Sequence, residues 1–454
     1  MTKTGNPLGT KKIGKLVVEY SLPAIIGMLV NALYNIVDQL FIGHVLEYLG
    51  SAATNVAFPL STISTSIALL LGIGGASNFS LKLGQGKTSD AGAIASNSIS
   101  LLTIAGIAAG AVVLIFLNPI LYAFGATELI YDYAFTYTLI IACGMPFLIF
   151  TTGACHLIRA DGSPGYAMFC LLSGAVFNVI FDYVFLIVMD MGIAGIALAT
   201  ALGQILTASI AAYYIIRKFK SVKLLKKDFI PKFKYIKSIT SLGVAAFFNQ
   251  VAMAAVQIVQ NNTMSHYGAI SIYGSEIPLA CIAVISKLNI VFMSFTIGIA
   301  QGCQPIYGFN FGAENYGRVK KTLITAITSA TFFAVIFFLL FQIFPRDIIS
   351  WFGPGSEIYF VFAVKYLRIF MFFTFLNGFQ PIASNFFTSI SKAKMGVFMS
   401  ATRHLIFLIP LILILPIYFG IDGTIFAGPI ADFAAFSLAA IFLIRGIRRL
   451  KIPV

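Results

Sequence analysis

Phe177-Asn178-Val179-Ile180-Phe181-Asp182-Tyr183-Val184-Phe185 sets an amide and a carboxylate four residues apart inside an otherwise apolar run of helical length. Residues at i and i+4 share one helix face, so Asn178 and Asp182 point the same way. An Asp at the centre of a membrane helix costs about 2.5–3.5 kcal/mol on insertion scales, and it therefore calls for a partner, a proton or water. Asp38, in Tyr34-Asn35-Ile36-Val37-Asp38-Gln39-Leu40-Phe41, is the other carboxylate of the first half placed for membrane depth, and the two read as one site. Thr200, in Ile196-Ala197-Leu198-Ala199-Thr200-Ala201, adds a hydroxyl. Two carboxylates, an amide carbonyl and a hydroxyl are the hard ligands a small cation prefers, and two close carboxylates in low dielectric also share a proton. The bland alternative for each residue is structural hydrogen bonding within the bundle.

Around this stretch the chain is 59% hydrophobic and 10% charged, with a mean hydropathy of +0.93. Soluble domains carry about 25% charged residues, so this is a polytopic membrane protein. Runs free of Asp, Glu, Lys and Arg cover residues 20–37, 48–81, 91–127, 133–158, 191–216, 238–275 and 322–345, each near or above the roughly 20 residues needed to cross. Twelve helices are expected, at 16–42, 51–83, 90–117, 127–158, 164–189, 192–216, 236–264, 275–308, 318–343, 357–390, 394–418 and 421–446. The N-terminus leads from Lys11, Lys12 and Lys15 straight into a long span, with no cleavable leader expected. The five cysteines show no CxxC or metal-type spacing and read as helix packing.

The formal charge of +14 would suit nucleic acid if it were clustered, but it follows a topology instead. Lys and Arg gather at 3–15, 82–87, 159, 217–237, 318–321, 392–394 and 445–451, which are the termini and alternate loops; these hold 25 of the 30. The positive-inside rule makes those segments cytoplasmic, both termini included. No nucleic-acid partner is expected; the bilayer is the partner.

The long basic linker, 217–235, divides the chain into an amino-terminal lobe, 1–216, and a carboxy-terminal lobe, 236–454. The halves echo one another in order: Gly192-Ile193-Ala194-Gly195 and Gly420-Ile421-Asp422-Gly423, Gly74 and Gly84 opposite Gly302 and Gly312, Ser21-Leu22 opposite Ser241-Leu242. Six helices per half start both on the same side, which predicts parallel repeats about an axis along the membrane normal, with a cavity between. Prolines inside the spans, Pro23 among them, are either ordinary kinks or points of bending.

On these residues the sequence resembles the multidrug and toxic compound extrusion family, across about residues 10–450. The family's first-helix Asp, fifth-helix Asn-x-x-x-Asp and sixth-helix Thr fall on Asp38, Asn178, Asp182 and Thr200, and its first-helix proline falls on Pro23. Gln301-Gly302-Cys303-Gln304-Pro305-Ile306-Tyr307-Gly308-Phe309-Asn310-Phe311-Gly312-Ala313 is similar to the eighth-helix signature of the MepA-like branch. The resemblance implies export of amphipathic, often cationic compounds in exchange for protons or sodium ions, with no other cofactor. It also implies a monomer in the plasma (inner) membrane of a prokaryote. The Glu that follows paired aromatics on the seventh helix of the NorM-like branch is replaced here, in Phe247-Phe248-Asn249, so ion chemistry is expected in the first lobe alone.

Other polar residues have two readings. Lys287, deep in the eighth span, reads as a gate or a carboxylate's partner, against snorkelling. Arg403 and His404 are expected to snorkel to the cytoplasm, and Asp432 to face either the second lobe's cavity or its packing. Gln250, Gln257 and Asn261 form a polar face that would line the cavity, with Met28, Met253, Met293 and Phe295 as polarizable or aromatic walls or as core. A lipid-linked saccharide flippase would need several intramembrane Arg and Lys for pyrophosphate. An intramembrane enzyme would need a nucleophile with its base or a metal motif, and neither GxSxG nor HExxH occurs.

Overall fold

The computed structural model describes residues 5–448 other than 46, 125 and 354, so the outermost basic residues of the two terminal clusters lie outside it. Eleven helices among the described residues are long and apolar enough to cross a membrane, and a bent pair supplies a twelfth. We number them α1 Ile13–Val45, α2 Glu47–Gly84, α3 Thr88–Ile115, α4 Tyr131–Ala160, α5 Pro164–Tyr183, α6 Gly192–Arg217, α7 Phe233–Ala269, α8 Glu276–Gly312, α9 Tyr316–Ile343, α10, α11 and α12 Ile421–Arg448. The α10 span is Glu357–Phe370 followed, across a 46° bend, by Thr374–Ser389; α11 is Ala393–Phe419. α5 runs on into a π turn at Val184–Val188, and α11 contains another at Thr402–Leu408. Such turns are frequent at functional sites.

Four of the echoed glycines, Gly74, Gly84, Gly302 and Gly312, lie where the two halves touch. A Cβ on Gly74 of α2 would stand 2.0 Å from the Ile239 carbonyl of α7, and one on Gly302 of α8 would stand 2.6 Å from Cα of Ser21 on α1. Gly84 and Gly312 meet across the α2–α8 contact in the same manner. With no hydrophobic effect to drive helices together in lipid, close backbone approach supplies the contact, and only glycine allows it here. The pseudo-symmetric positions are therefore small because they form the seam between two six-helix lobes.

α1 serves both lobes. Its first turns, Leu16, Tyr20 and Ile25, are buried with Ile299, Tyr307, Phe386 and Leu443 of the second lobe. From Gly27 onward it meets α5, where Leu171 stands against that glycine. Pro23 lies one turn before this changeover, between Tyr20 and Ile25 of the second-lobe contact, inside a helix that runs without interruption from Ile13 to Val45.

The basic linker is strapped to the first lobe rather than hanging free. Asp161 accepts from the backbone N–H groups of Lys220 and Ser221 (2.9 and 2.8 Å) and from the Tyr214 hydroxyl (2.8 Å). Asn97, buried on α3, donates to the Asp228 carbonyl and accepts from the Lys232 N–H, both at 2.8 Å.

Candidate functional site

Helix periodicity does what the opening stretch implies. Asn178 and Asp182 are both buried on α5, and Asn178 Nδ2 donates to Asp182 Oδ1 (3.4 Å) and to Thr200 Oγ1 of α6 (3.2 Å). One amide thus joins a carboxylate on its own helix to a hydroxyl on the next. Asp38 arrives from α1, 8% exposed, within electrostatic range of Asp182 across the contact of α1 with α5. Tyr34, one turn before Asp38, and Tyr137 of α4 lie within electrostatic reach of both carboxylates.

What distinguishes the cluster is what it lacks. Asp38 Oδ1, Asp182 Oδ2 and Asn178 Oδ1 are buried without a hydrogen-bond donor, and so is Gln204 Oε1, one turn after Thr200 on α6. No Lys, Arg or His forms an ion pair with either Asp among the described residues. Buried polar atoms are nearly always paired, and an unpaired buried carboxylate cannot keep its charge without a counter-ion. Acceptors from three helices converge with nothing to accept. No group of three His, Cys, Asp or Glu suited to a metal occurs among the described residues, so any cation here would rest on mixed carboxylate, amide and hydroxyl oxygens, a set suited to a small hard ion or a proton.

One turn further along each helix, Ile42 of α1, Leu186 of the α5 π turn and Ile196 of α6 form a buried apolar plug, with Phe41 and Tyr137 against it. The three follow Asp38 and Asp182 by four residues and precede Thr200 by four. All lie toward the α1–α2 and α5–α6 connections, so they close that end of the cluster to water.

The second lobe holds a different polar centre. Arg403, in the α11 π turn, is buried, and its Nε lies 2.6 Å from Asp432 Oδ1 of α12, whose side chain is 2% exposed. Asn377 of α10 donates to the other oxygen at 2.7 Å, and an Arg403 terminal nitrogen stands 3.1 Å from His404 Nε2. This corrects the expected snorkelling of Arg403 and His404: both are buried, because Asp432 supplies the guanidinium with a partner inside the lobe. Asp432 faces that partner rather than a cavity.

The remaining candidates divide. Gln257 Nε2 donates to Asn261 Oδ1 at 2.9 Å, so the polar face of α7 exists, and Gln250, Met253 and Met28 are half-buried. Met293, in contrast, is buried in the second lobe's core, and the Phe295 ring packs 5.1 Å from that of Phe333 and 5.2 Å from that of Phe337. These two are core rather than cavity wall, because second-lobe helices, α9 among them, cover this stretch of α8. Lys287 is half-buried and makes no ion pair among the described residues. Sequence reasoning missed Tyr34 and Gln204, although each sits four residues from a site residue on the same helix face, and missed the Arg403–Asp432 pair, which has no local signature.

Known proteins share this fold. The chain is 26% identical over 437 residues, 95% of its length and 93% of the relative's, to the multidrug export protein MepA of Staphylococcus aureus (strain MSSA476). It is 24% identical to the protein of that name from Staphylococcus haemolyticus (strain JCSC1435), covering 96% and 94% of the two chains. Among solved structures, an outward-facing multidrug resistance MATE family transporter of the MOP superfamily superposes with a TM-score of 0.92 at 22% identity over 99% of both chains. The MATE multidrug transporter DinF-BH, solved as a complex, matches at 32% identity and a TM-score of 0.87, over 96% of this chain and 97% of that one. The MatE family model matches twice, over residues 23–184 and 246–414, once in each lobe, and by that match the chain belongs to the MatE family.

Proposed function

We propose that the chain is a multidrug exporter driven by exchange against an inward cation, a proton or sodium ion, carried by Asp38, Asn178, Asp182 and Thr200. The observation that carries this reading is the set of buried oxygens on Asp38, Asn178 and Asp182 that have no donor, with no ion pair to either Asp among the described residues. Two carboxylates so placed are stable when they share a proton or a cation and repel one another when they do not. The named relatives are multidrug export proteins, which supports export of amphipathic, often cationic molecules. Met28, Met253, Gln250, Gln257 and Asn261 are the candidate contacts on α1 and α7, and Lys287 a candidate gate.

On this reading the α1 segment that holds Asp38 is drawn toward α5 when the cation is bound and released when it leaves. Its first turns are fixed in the second lobe, so the difference is taken up near Pro23, where a backbone hydrogen bond is missing. The chain works as a monomer with both termini on the cytoplasmic side, the orientation supported by its basic segments. In proteoliposomes, proton and sodium gradients imposed separately test the reading: one of them accelerates export of a cationic dye from the wild type. Export indifferent to both would overturn it.

A further inference from the structure

Five basic residues stand outside the segments that the positive-inside rule explains: Lys287, Arg346, Lys365, Arg368 and Arg403. Arg403 is held by Asp432. Three of the others line a single groove of about 580 Å³ at the end of the second lobe remote from the basic linker.

The groove lies between the end of α9, the short helix Pro345–Ser350 and the first half of α10. Its floor is apolar, made by Ile343, Phe360, Val361, Val364 and Ile369. Its basic groups lie at one level. Gln342 in the last turn of α9 donates to the Arg368 carbonyl at 2.8 Å, and Lys365 pairs at 2.6 Å with Asp422 in the first turn of α12. The apolar spans of α9 and α12 end at this level, at Ile343 and Ile421, which sets Arg368 and Lys365 near the headgroups although α10 runs on past them to Glu357. Arg346, above them, pairs with Glu357 at 2.7 Å and covers the Phe360 ring.

Two of the three cations are thus balanced by the chain. Arg368 is not: it is exposed, and its guanidinium makes neither an ion pair nor a hydrogen bond among the described residues. The groove's own carboxylate, Asp347, is exposed in the first turn of its helix and is not paired with Arg368. An unpaired guanidinium at headgroup level over an apolar channel matches a phosphodiester on an acyl chain, since Arg offers a planar fork of donors and the channel takes the hydrocarbon.

We propose that this groove binds an anionic phospholipid of the leaflet opposite the basic linker, its phosphate on Arg368 between Lys365 and Arg346, and one acyl chain along Val361 and Val364. The site is separate from the coupling cluster, and its test does not read transport. The purified full chain is exchanged into micelles with equal phosphatidylglycerol and phosphatidylcholine of matched acyl chains, and the lipid retained is counted by native mass spectrometry. The wild type is expected to keep phosphatidylglycerol preferentially. Arg368→Gln lowers that retention by about tenfold. Val361→Trp, which fills the channel and leaves the charges, lowers it as well. Arg445→Gln, at the opposite end of α12, leaves it unchanged. Equal retention of the two lipids by the wild type overturns the proposal, as does an Arg368→Gln or Val361→Trp protein that behaves as wild type, or an Arg445→Gln protein that loses lipid like Arg368→Gln. Displacement of the lipid by soluble glycerol phosphate at equal concentration would make this a free-anion site and overturn it also.

Discussion

The polar centres of the two lobes solve one problem in opposite ways. In the second lobe a buried Asp432 is neutralised by the chain itself, through Arg403 and Asn377. In the first lobe two carboxylates are buried together, and among the described residues no cation pairs with either. Taking charge out of water is costly either way. Where the counter-charge is covalently attached, the centre is fixed; where it must come from solution, the centre has an empty and an occupied state. On the proposed function, the second centre serves stability and the first serves exchange.

The widest separation is expected from the carboxylates. Asp38→Asn or Asp182→Asn should leave membrane insertion and detergent stability near wild type, yet lower dye efflux from cells by roughly a hundredfold, since an amide neither takes up a proton nor balances a cation. Either variant pumping at wild-type expression and rate would break the comparison.

In the second lobe the expected effect is on folding. Arg403→Met strands a buried carboxylate and should cost about 3–5 kcal/mol, read as a large drop in the melting temperature of the purified protein. The double variant Arg403→Met with Asp432→Leu should recover most of it. A double variant that is stable but no longer follows the gradient would move coupling into this lobe.

The seam between the lobes comes next. Gly302→Val places side-chain atoms where the Ser21 backbone lies and should cost about 1–3 kcal/mol, or shift the lobes apart. The smallest effect belongs to Thr200→Ala, which removes one acceptor of Asn178. Its cost of about 1 kcal/mol should appear as a roughly fivefold rise in the coupling-ion concentration for half-maximal export, at unchanged maximal rate.

How much of this was legible in the chain follows from the range of each interaction. The twelve spans and the Asn178–Asp182 face are local, set by hydropathy and the helical repeat. The pairing of Asp38 with Asp182 was an expectation that rested on how few carboxylates lie within the spans to offer other partners. The pairing of Arg403 with Asp432 was missed because twenty-nine residues and a helix reversal separate them, and a lone basic residue near a helix end looks like one that snorkels. Met293 and Phe295 read equally as cavity wall or as core, because composition does not say which parts of α8 are covered. The apolar plug of Ile42, Leu186 and Ile196 had no signal at all among so many aliphatic residues. The echoed glycines were legible as a repeat, but their reason, the lobe seam, needed coordinates.

Cation displacement by substrate tests the account most directly. A cationic dye is added to detergent-solubilised protein in weak buffer, once without sodium while a pH indicator reads proton release, and once with sodium while a sodium-selective probe reads the free ion. The wild type should release one of the two on binding dye, Asp38→Asn and Asp182→Asn should bind dye and release neither, and the Arg403→Met, Asp432→Leu double variant should release as much as wild type. Undiminished release from both Asp→Asn proteins would contradict the assignment of the coupling cation to the first lobe.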